Sequence, residues 1–112
     1  MKIESYKFGE MKVDGNVYRS DLIIFQNRIA DSWWRKTGHN LNMDDLKDVI
    51  DTKPHYLFIG TGKYGLMRVS KDLRRYLHDL GIEVFVAKTD DSVKAYNKEQ
   101  NSNKIGAFHL SC

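Results

Sequence analysis

The stretch that decides the fold is Tyr56-Leu57-Phe58-Ile59 running into Gly60-Thr61-Gly62, read together with the helix and strand behind it. Four consecutive apolar residues ending at a glycine turn read as a buried strand. Ser70 then caps a helix whose Leu73, Tyr76, Leu77 and Leu80 form an apolar stripe, and Gly81 terminates it. Ile82 to Ala87 is β-branched and aromatic, as a second strand should be. Thr89 or Asp90 caps a short helix carrying Val93 and Tyr96, the polar run Gln100 to Asn103 turns the chain, and Ile105 to Leu110 makes a final strand. Strands alternating with helices in this way argue for a largely parallel sheet in the second half.

Working back from that core, Asn42 can cap an earlier helix. Asp44 and Asp45 lie in its first turn, where the helix dipole favours negative charge, and Met43, Leu46, Val49 and Ile50 share a face until Pro54 ends it. Leu22 to Phe25 is a short, wholly apolar run of the kind found in a strand covered on both faces. Before it, Met11 and Val13 alternate with Glu10 and Lys12, and Asp14-Gly15 separates them from Asn16-Val17-Tyr18. An Asp-Gly pair between alternating runs is a hairpin signal. The first half is therefore expected to be antiparallel and the whole an α/β domain with an N-terminal hairpin region and about three helices. No repeat, linker or biased segment interrupts residues 1–112, which read as one domain.

Composition excludes several classes. Hydrophobic and charged fractions of 41% and 29% are those of a globular chain. The longest apolar stretches are far short of the ~20 residues a membrane helix needs, and the start of the chain lacks the apolar core of a signal peptide. The single cysteine, Cys112, fits a reducing compartment, and the expected location is the cytoplasm, away from membranes. A net charge of +3 is mildly basic and does not by itself indicate nucleic acid.

Two candidate sites emerge. Gly60-Thr61-Gly62-Lys63-Tyr64-Gly65 matches G-x-G-x-x-G behind a strand, where glycines let backbone amides approach a phosphate. The same glycines also serve a plain structural turn. The next helix opens only at Ser70, and Asp72 in its first turn would repel a phosphate there. The ligand reading takes Gly60, Thr61, Gly62, Lys63, Gly65 and Thr89 as holding a small anionic or nucleotide-like molecule at the carboxyl end of a strand. The second candidate is Trp33-Trp34-Arg35 with His39. Adjacent residues diverge on either a strand or a helix, so both indoles cannot enter one side of a core. One of them is then left for a loop, a neighbouring layer or a protein partner, and Trp with Arg is typical of interface anchors.

Other features are weaker. Lys71, Arg74, Arg75 and His78 make a basic stripe opposite the apolar face of the Ser70 helix, which suits either an acidic partner or ordinary solvation. His39, His55, His78 and His109 are not spaced as metal ligands, and no metal or cofactor is expected. His109 and Cys112 would fall on opposite faces of a continuing strand, which argues against an activated thiol; no catalytic residue is assigned.

Several of these segments together resemble a known family. They are Phe8-Gly9-Glu10-Met11 with Tyr18; Trp34-Arg35 before Gly38-His39; Lys53-Pro54 leading to Ile59-Gly60-Thr61-Gly62; and Gly81-Ile82-Glu83-Val84. Thr89 with Val93 and Tyr96-Asn97, and the closing Phe108-His109-Leu110-Ser111-Cys112, complete the set. The chain is similar over nearly its whole length to a domain family of unknown function named after a methanogen protein. That family includes a human adipogenesis-associated protein and a mitochondrial complex I assembly factor. The resemblance implies a three-layer α/β fold with a central mixed sheet, and it implies action through partners, with no catalytic residues to carry over. The resulting expectation is a non-enzymatic cytoplasmic module that binds an unidentified protein partner through Trp33, Trp34 and Arg35. The rival is a small-molecule module, or a weak enzyme, using the Gly60–Gly65 loop. Nothing else in the chain marks it for RNA or DNA.

Overall fold

The computed structural model describes the whole chain, Met1–Cys112. Its N-terminal strands β1 (Ile3–Lys7), β2 (Glu10–Val13) and β3 (Asn16–Tyr18) form a separate three-stranded antiparallel sheet. Asp14 and Gly15 both adopt positive φ, 48° and 85°. Two left-handed residues in succession twist a two-residue turn the way the flanking strands twist.

The second sheet has five strands in the order β5-β4-β8-β6-β7. They are β4 (Leu22–Ile24), β5 (Ile29–Asp31), β6 (Tyr56–Thr61), β7 (Glu83–Ala87) and β8 (Lys104–His109). β6 pairs in parallel with both β7 and β8, while β4 is antiparallel to β8 and to β5. The sheet is therefore mixed, and β8 joins its two halves.

Period-two alternation sends each strand's side chains to two separate cores. Ile23, Leu57, Ile59, Ile105 and Ala107 face one side, where α1 (Lys47–Asp51), reached through a 3-10 turn at Met43–Leu46, and α2 (Lys71–Asp79) cover them with Leu46, Val49, Leu73 and Leu77. Leu22, Ile24, Phe58 and Phe108 face the other, covered by α3 (Thr89–Lys98) through Val93 and Tyr96 and by the small sheet through Ile3, Met11 and Val13. Three layers result, as the family resemblance implied. Gly60 and Gly106 leave room for the Phe108 ring, since a Cβ at Gly60 would lie 2.8 Å from its Cδ1 and one at Gly106 would overlap it. No helix is long and apolar enough to cross a membrane.

Local details depart from the sequence reading where tertiary contacts intervene. Asn42 does precede the first helix, but that helix opens as a 3-10 turn and leaves Met43 exposed. Tyr76 and Leu80 of the expected α2 stripe are exposed too, because α2 meets the sheet over a narrow line through Leu73 and Leu77. Ser70 caps α2 as expected, accepting from the Leu73 N–H at 3.1 Å. At α3 the capping position is Lys88, because the Thr89 hydroxyl is buried and engaged elsewhere. Ile29–Asp31, missed as a strand, is held by pairing with β4.

Candidate functional site

The glycine loop lies at the carboxyl end of β6, beside the start of α3 and the end of β8. Its backbone amides after Thr61, Tyr64 excepted, are used inside the chain. Gly62 N–H donates to Thr89 Oγ1 at 2.9 Å, and Lys63 N–H to the Ser111 carbonyl at 2.7 Å. Gly65, Leu66 and Met67 donate to the carbonyls of Gly62, Cys112 and Thr61. Thr89, fully buried, donates its hydroxyl to the His109 carbonyl at 2.6 Å. Thr61 Oγ1 donates to the Ala87 carbonyl at 3.1 Å, and Lys63 Nζ is paired with Asp90 at 2.9 Å.

Gly62 has φ +105°, and a Cβ there would overlap the carbonyl of Cys112. Gly62 is needed because the segment that follows β8 crosses directly over it, while Gly60 makes room for Thr89 and Phe108. Of the residues expected to cradle a phosphate, Gly60, Thr61, Gly62, Lys63, Gly65 and Thr89, the N–H groups of Gly62, Lys63 and Gly65 and the hydroxyls of Thr61 and Thr89 already donate within the chain. The residues do come together, and the Lys63 and Leu66 N–H groups hold the segment through Cys112 beside them.

The tryptophan segment is differently placed. Ser32 takes a positive φ of 57° after β5 and turns the chain, its N–H held by Ser20 Oγ at 2.9 Å. Trp33 N–H then bonds the Asp21 carbonyl at 2.8 Å, and its indole N–H donates to the Asp45 carbonyl at 3.1 Å. This indole packs against the core beneath α1, while Trp34 diverges and is 78% exposed. Between the β4–β5 edge and the Met43–Asp48 segment lies an open groove of about 590 Å³, floored by Ile23, Phe25, Ala30 and Trp33 with Trp34 on its rim. Asp31, Asp44 and Asp48 line it and form no ion pair; Lys36 and Lys47 line it as well. Asp45 is occupied, accepting from the Lys36 and Asn42 N–H groups.

Arg35 was expected on this surface and turns inward instead. Its side chain is 6% exposed, its Nη1 donates to Asp21 Oδ2 at 2.7 Å, and its guanidinium lies 4.9 Å over the Trp33 ring. His109 Nδ1 lies 2.7 Å from the same Asp21 oxygen and 3.0 Å from Arg35 Nη2, and Leu110 N–H donates to Asp21 Oδ1 at 2.7 Å. Burial alone would raise the Asp21 carboxyl, but hydrogen bonds from His109, Leu110 and Arg35 outweigh it and hold the group below its ordinary value. Arg35 Nε is buried without a partner.

This three-way cluster joins segments far apart in the chain and was missed by sequence reasoning. Asp21, the residue before β4, carries no motif that would single it out. It pins the tryptophan segment to the end of β8, so that Trp34 is displayed from a fixed base. His39 is exposed in the following loop, whose backbone pairs with Arg68. The exposed face thus keeps Trp34 and His39 and loses Arg35.

Comparison with known proteins agrees with this fold. A family model described as "Protein of unknown function (DUF498/DUF598)" matches residues 3–109. The conserved hypothetical protein PH1505 of Pyrococcus horikoshii OT3 is 25% identical, with a TM-score of 0.84 and full coverage of both chains. A structure described as an outer membrane protein from Bartonella henselae is 20% identical, with a TM-score of 0.78 over 98% of this chain and 94% of that one. A Bordetella pertussis protein described as a Mth938-like domain is 14% identical, with a TM-score of 0.70 over 97% and 85%.

Proposed function

This chain belongs to the DUF498/DUF598 family of proteins of unknown function, and on that premise we propose that it is a cytoplasmic, non-enzymatic protein-interaction module that docks a partner at the Trp33–Trp34 groove. The observation that carries the reading is the 78% exposure of Trp34 on a segment otherwise tied down at Ser32, Trp33 and Arg35. A large indole left in water beside an apolar floor, on a pinned backbone, is a pre-organised anchor. Such an anchor loses little entropy when a partner covers it.

The groove also has a sign. Asp31, Asp44 and Asp48 outnumber Lys36 and Lys47 along it, on a chain whose net charge is +3. The partner segment that suits it is apolar at its centre and basic at its ends. An assembly role is one form this activity takes. The rival reading, an anionic ligand on the glycine loop, finds the Gly62, Lys63 and Gly65 amide donors already occupied.

The test is Trp34→Ala together with Asp44→Lys. Both positions are exposed, so folding should change by no more than about 0.5 kcal/mol each. Capture of partners from a cell extract should fail for the variants. Retrieval of the same proteins by a folded Trp34→Ala chain would remove this surface from consideration.

A further inference from the structure

The far side of the five-stranded sheet ends at β7, whose outer edge is unpaired. Glu83 N–H donates to the His55 carbonyl at 2.9 Å, and the Ala87 carbonyl accepts from Thr61. Glu83, Phe85 and Ala87 therefore direct their backbone groups toward β6, and Val84 and Val86 direct theirs outward. No bond outside the sheet uses them. Protected edges carry lysines, prolines or bulges; Val84-Phe85-Val86 has none and stays regularly paired to β6 throughout.

The two faces beside this edge differ in chemistry. On the α3 side, Phe85 is 41% exposed and, with Tyr56 and Phe58, lines a hollow of about 210 Å³ that Glu83 and Glu99 also border. Its ring centroid lies 6.0 Å from that of Phe58. On the α2 side, Arg74, Arg75 and His78 line a second hollow with Val84 and Glu83. None of these basic residues joins an ion pair in the chain, and neither does Glu83. On a 100° wheel Lys71, Arg74, Arg75 and His78 occupy one flank of α2, while Asp72 and Asp79 occupy the other. Helix α2 has thus segregated its charges, with the positive flank beside the open strand.

We infer that β7 receives an extended segment of a protein partner as a sixth strand, with apolar side chains entering the Phe85 hollow and alternate acidic side chains meeting Arg74 and Arg75. Strand addition supplies main-chain bonds at Val84 and Val86, and the opposed hollows read alternate side chains of the incoming segment. A second copy of this chain is disfavoured as the occupant, since a two-fold axis at β7 would bring two positive α2 flanks together. This surface is separate from the tryptophan groove, and its test is independent of that one.

The experiment is amide NMR of the labelled chain with three synthetic ten-residue peptides. One alternates glutamate with valine and phenylalanine, one carries lysine in place of each glutamate, and one has the first composition in blocks. The alternating acidic peptide should shift the Val84, Phe85 and Val86 amides and slow hydrogen exchange at Val84 and Val86. The lysine peptide should not, and the blocked peptide should bind at least about tenfold more weakly. Arg74→Glu with Arg75→Glu should exchange the preference between the acidic and lysine peptides without altering the fold, since both side chains are on the surface. Val84→Pro removes one outward N–H and should abolish binding. If that variant does not fold, the charge reversal carries the test.

Equal binding of the acidic and lysine peptides, or no shift at Val84 and Val86, overturns the inference. So does protection of those amides that rises with protein concentration alone.

Discussion

Replacing Asp21 by asparagine tests whether the cluster under the tryptophan segment holds that part of the fold. The carboxylate accepts three hydrogen bonds, from Arg35 Nη1, His109 Nδ1 and Leu110 N, each at 2.7 Å. Exposures of 18%, 6% and 10% for the Asp21, Arg35 and His109 side chains leave little water to replace it. Asparagine can still accept from Leu110, but its amide group then turns donor hydrogens toward Arg35. The guanidinium, already lacking a partner at Nε, is left as an uncompensated buried charge, at a cost of about 3–5 kcal/mol. At about 4 °C per kcal/mol for a domain of this size, the midpoint should fall by about 12–20 °C. Calorimetry and urea unfolding measure both quantities.

Adding Arg35→Met to Asp21→Asn should recover most of the loss, because it removes the stranded charge. The pH dependence follows from the depressed carboxyl. Its contribution to stability is complete above the ordinary value of 3.8 and declines as pH falls below that value, toward the lower folded one. Asp21→Asn should lack that part of the acid limb. A loss under about 1 kcal/mol, or no recovery in the double variant, would refute the argument that this pair is buried and mutually required.

Gly62→Ala should cost about 3–5 kcal/mol, from a strained positive φ and two displaced tail hydrogen bonds, read by urea denaturation. Gly38→Ala, which meets no atom within 4 Å, is the matched control and should be close to neutral. Tyr6 and Tyr96 are each pushed up to about 12 by burial. Ultraviolet titration should show both ionising near that value. Since their folded values lie above the unfolded 10, stability should fall as pH rises from 10 through 12. Ionisation of both near 10 in the folded chain would contradict the burial.

What the sequence disclosed was whatever a single segment determines. Asp14-Gly15 specifies its turn through its own φ values, and Ser70 caps α2 with its own hydroxyl, so both were visible before any tertiary structure. The strand–helix alternation from Tyr56 onward likewise gave the parallel pairings of β6. The glycine motif shows the limit of such reading. Gly60 and Gly62 do mark a place where something approaches closely, but the motif cannot say whether that is a phosphate or the chain's own Cys112 carbonyl. Arg35 failed as a surface residue for the same reason. Its partners, Asp21 and His109, are 14 and 74 positions away, and no periodicity links them. Trp33 and Trp34 fall between these cases: their divergence was legible, but which one the core would take was not.

The strand that joins the two halves of the main sheet is also the last of the eight to leave the ribosome. Until residues 104–109 emerge, β4 with β5 and β6 with β7 have no strand between them, and the apolar sides of both pairs stay open to water and to other chains. A chain lacking those residues cannot complete the five-stranded sheet, although β1, β2 and β3 form their own sheet without them. A stall or a nonsense codon between Ala87 and Lys104 leaves the β4–β5 and β6–β7 pairs without the strand that joins them.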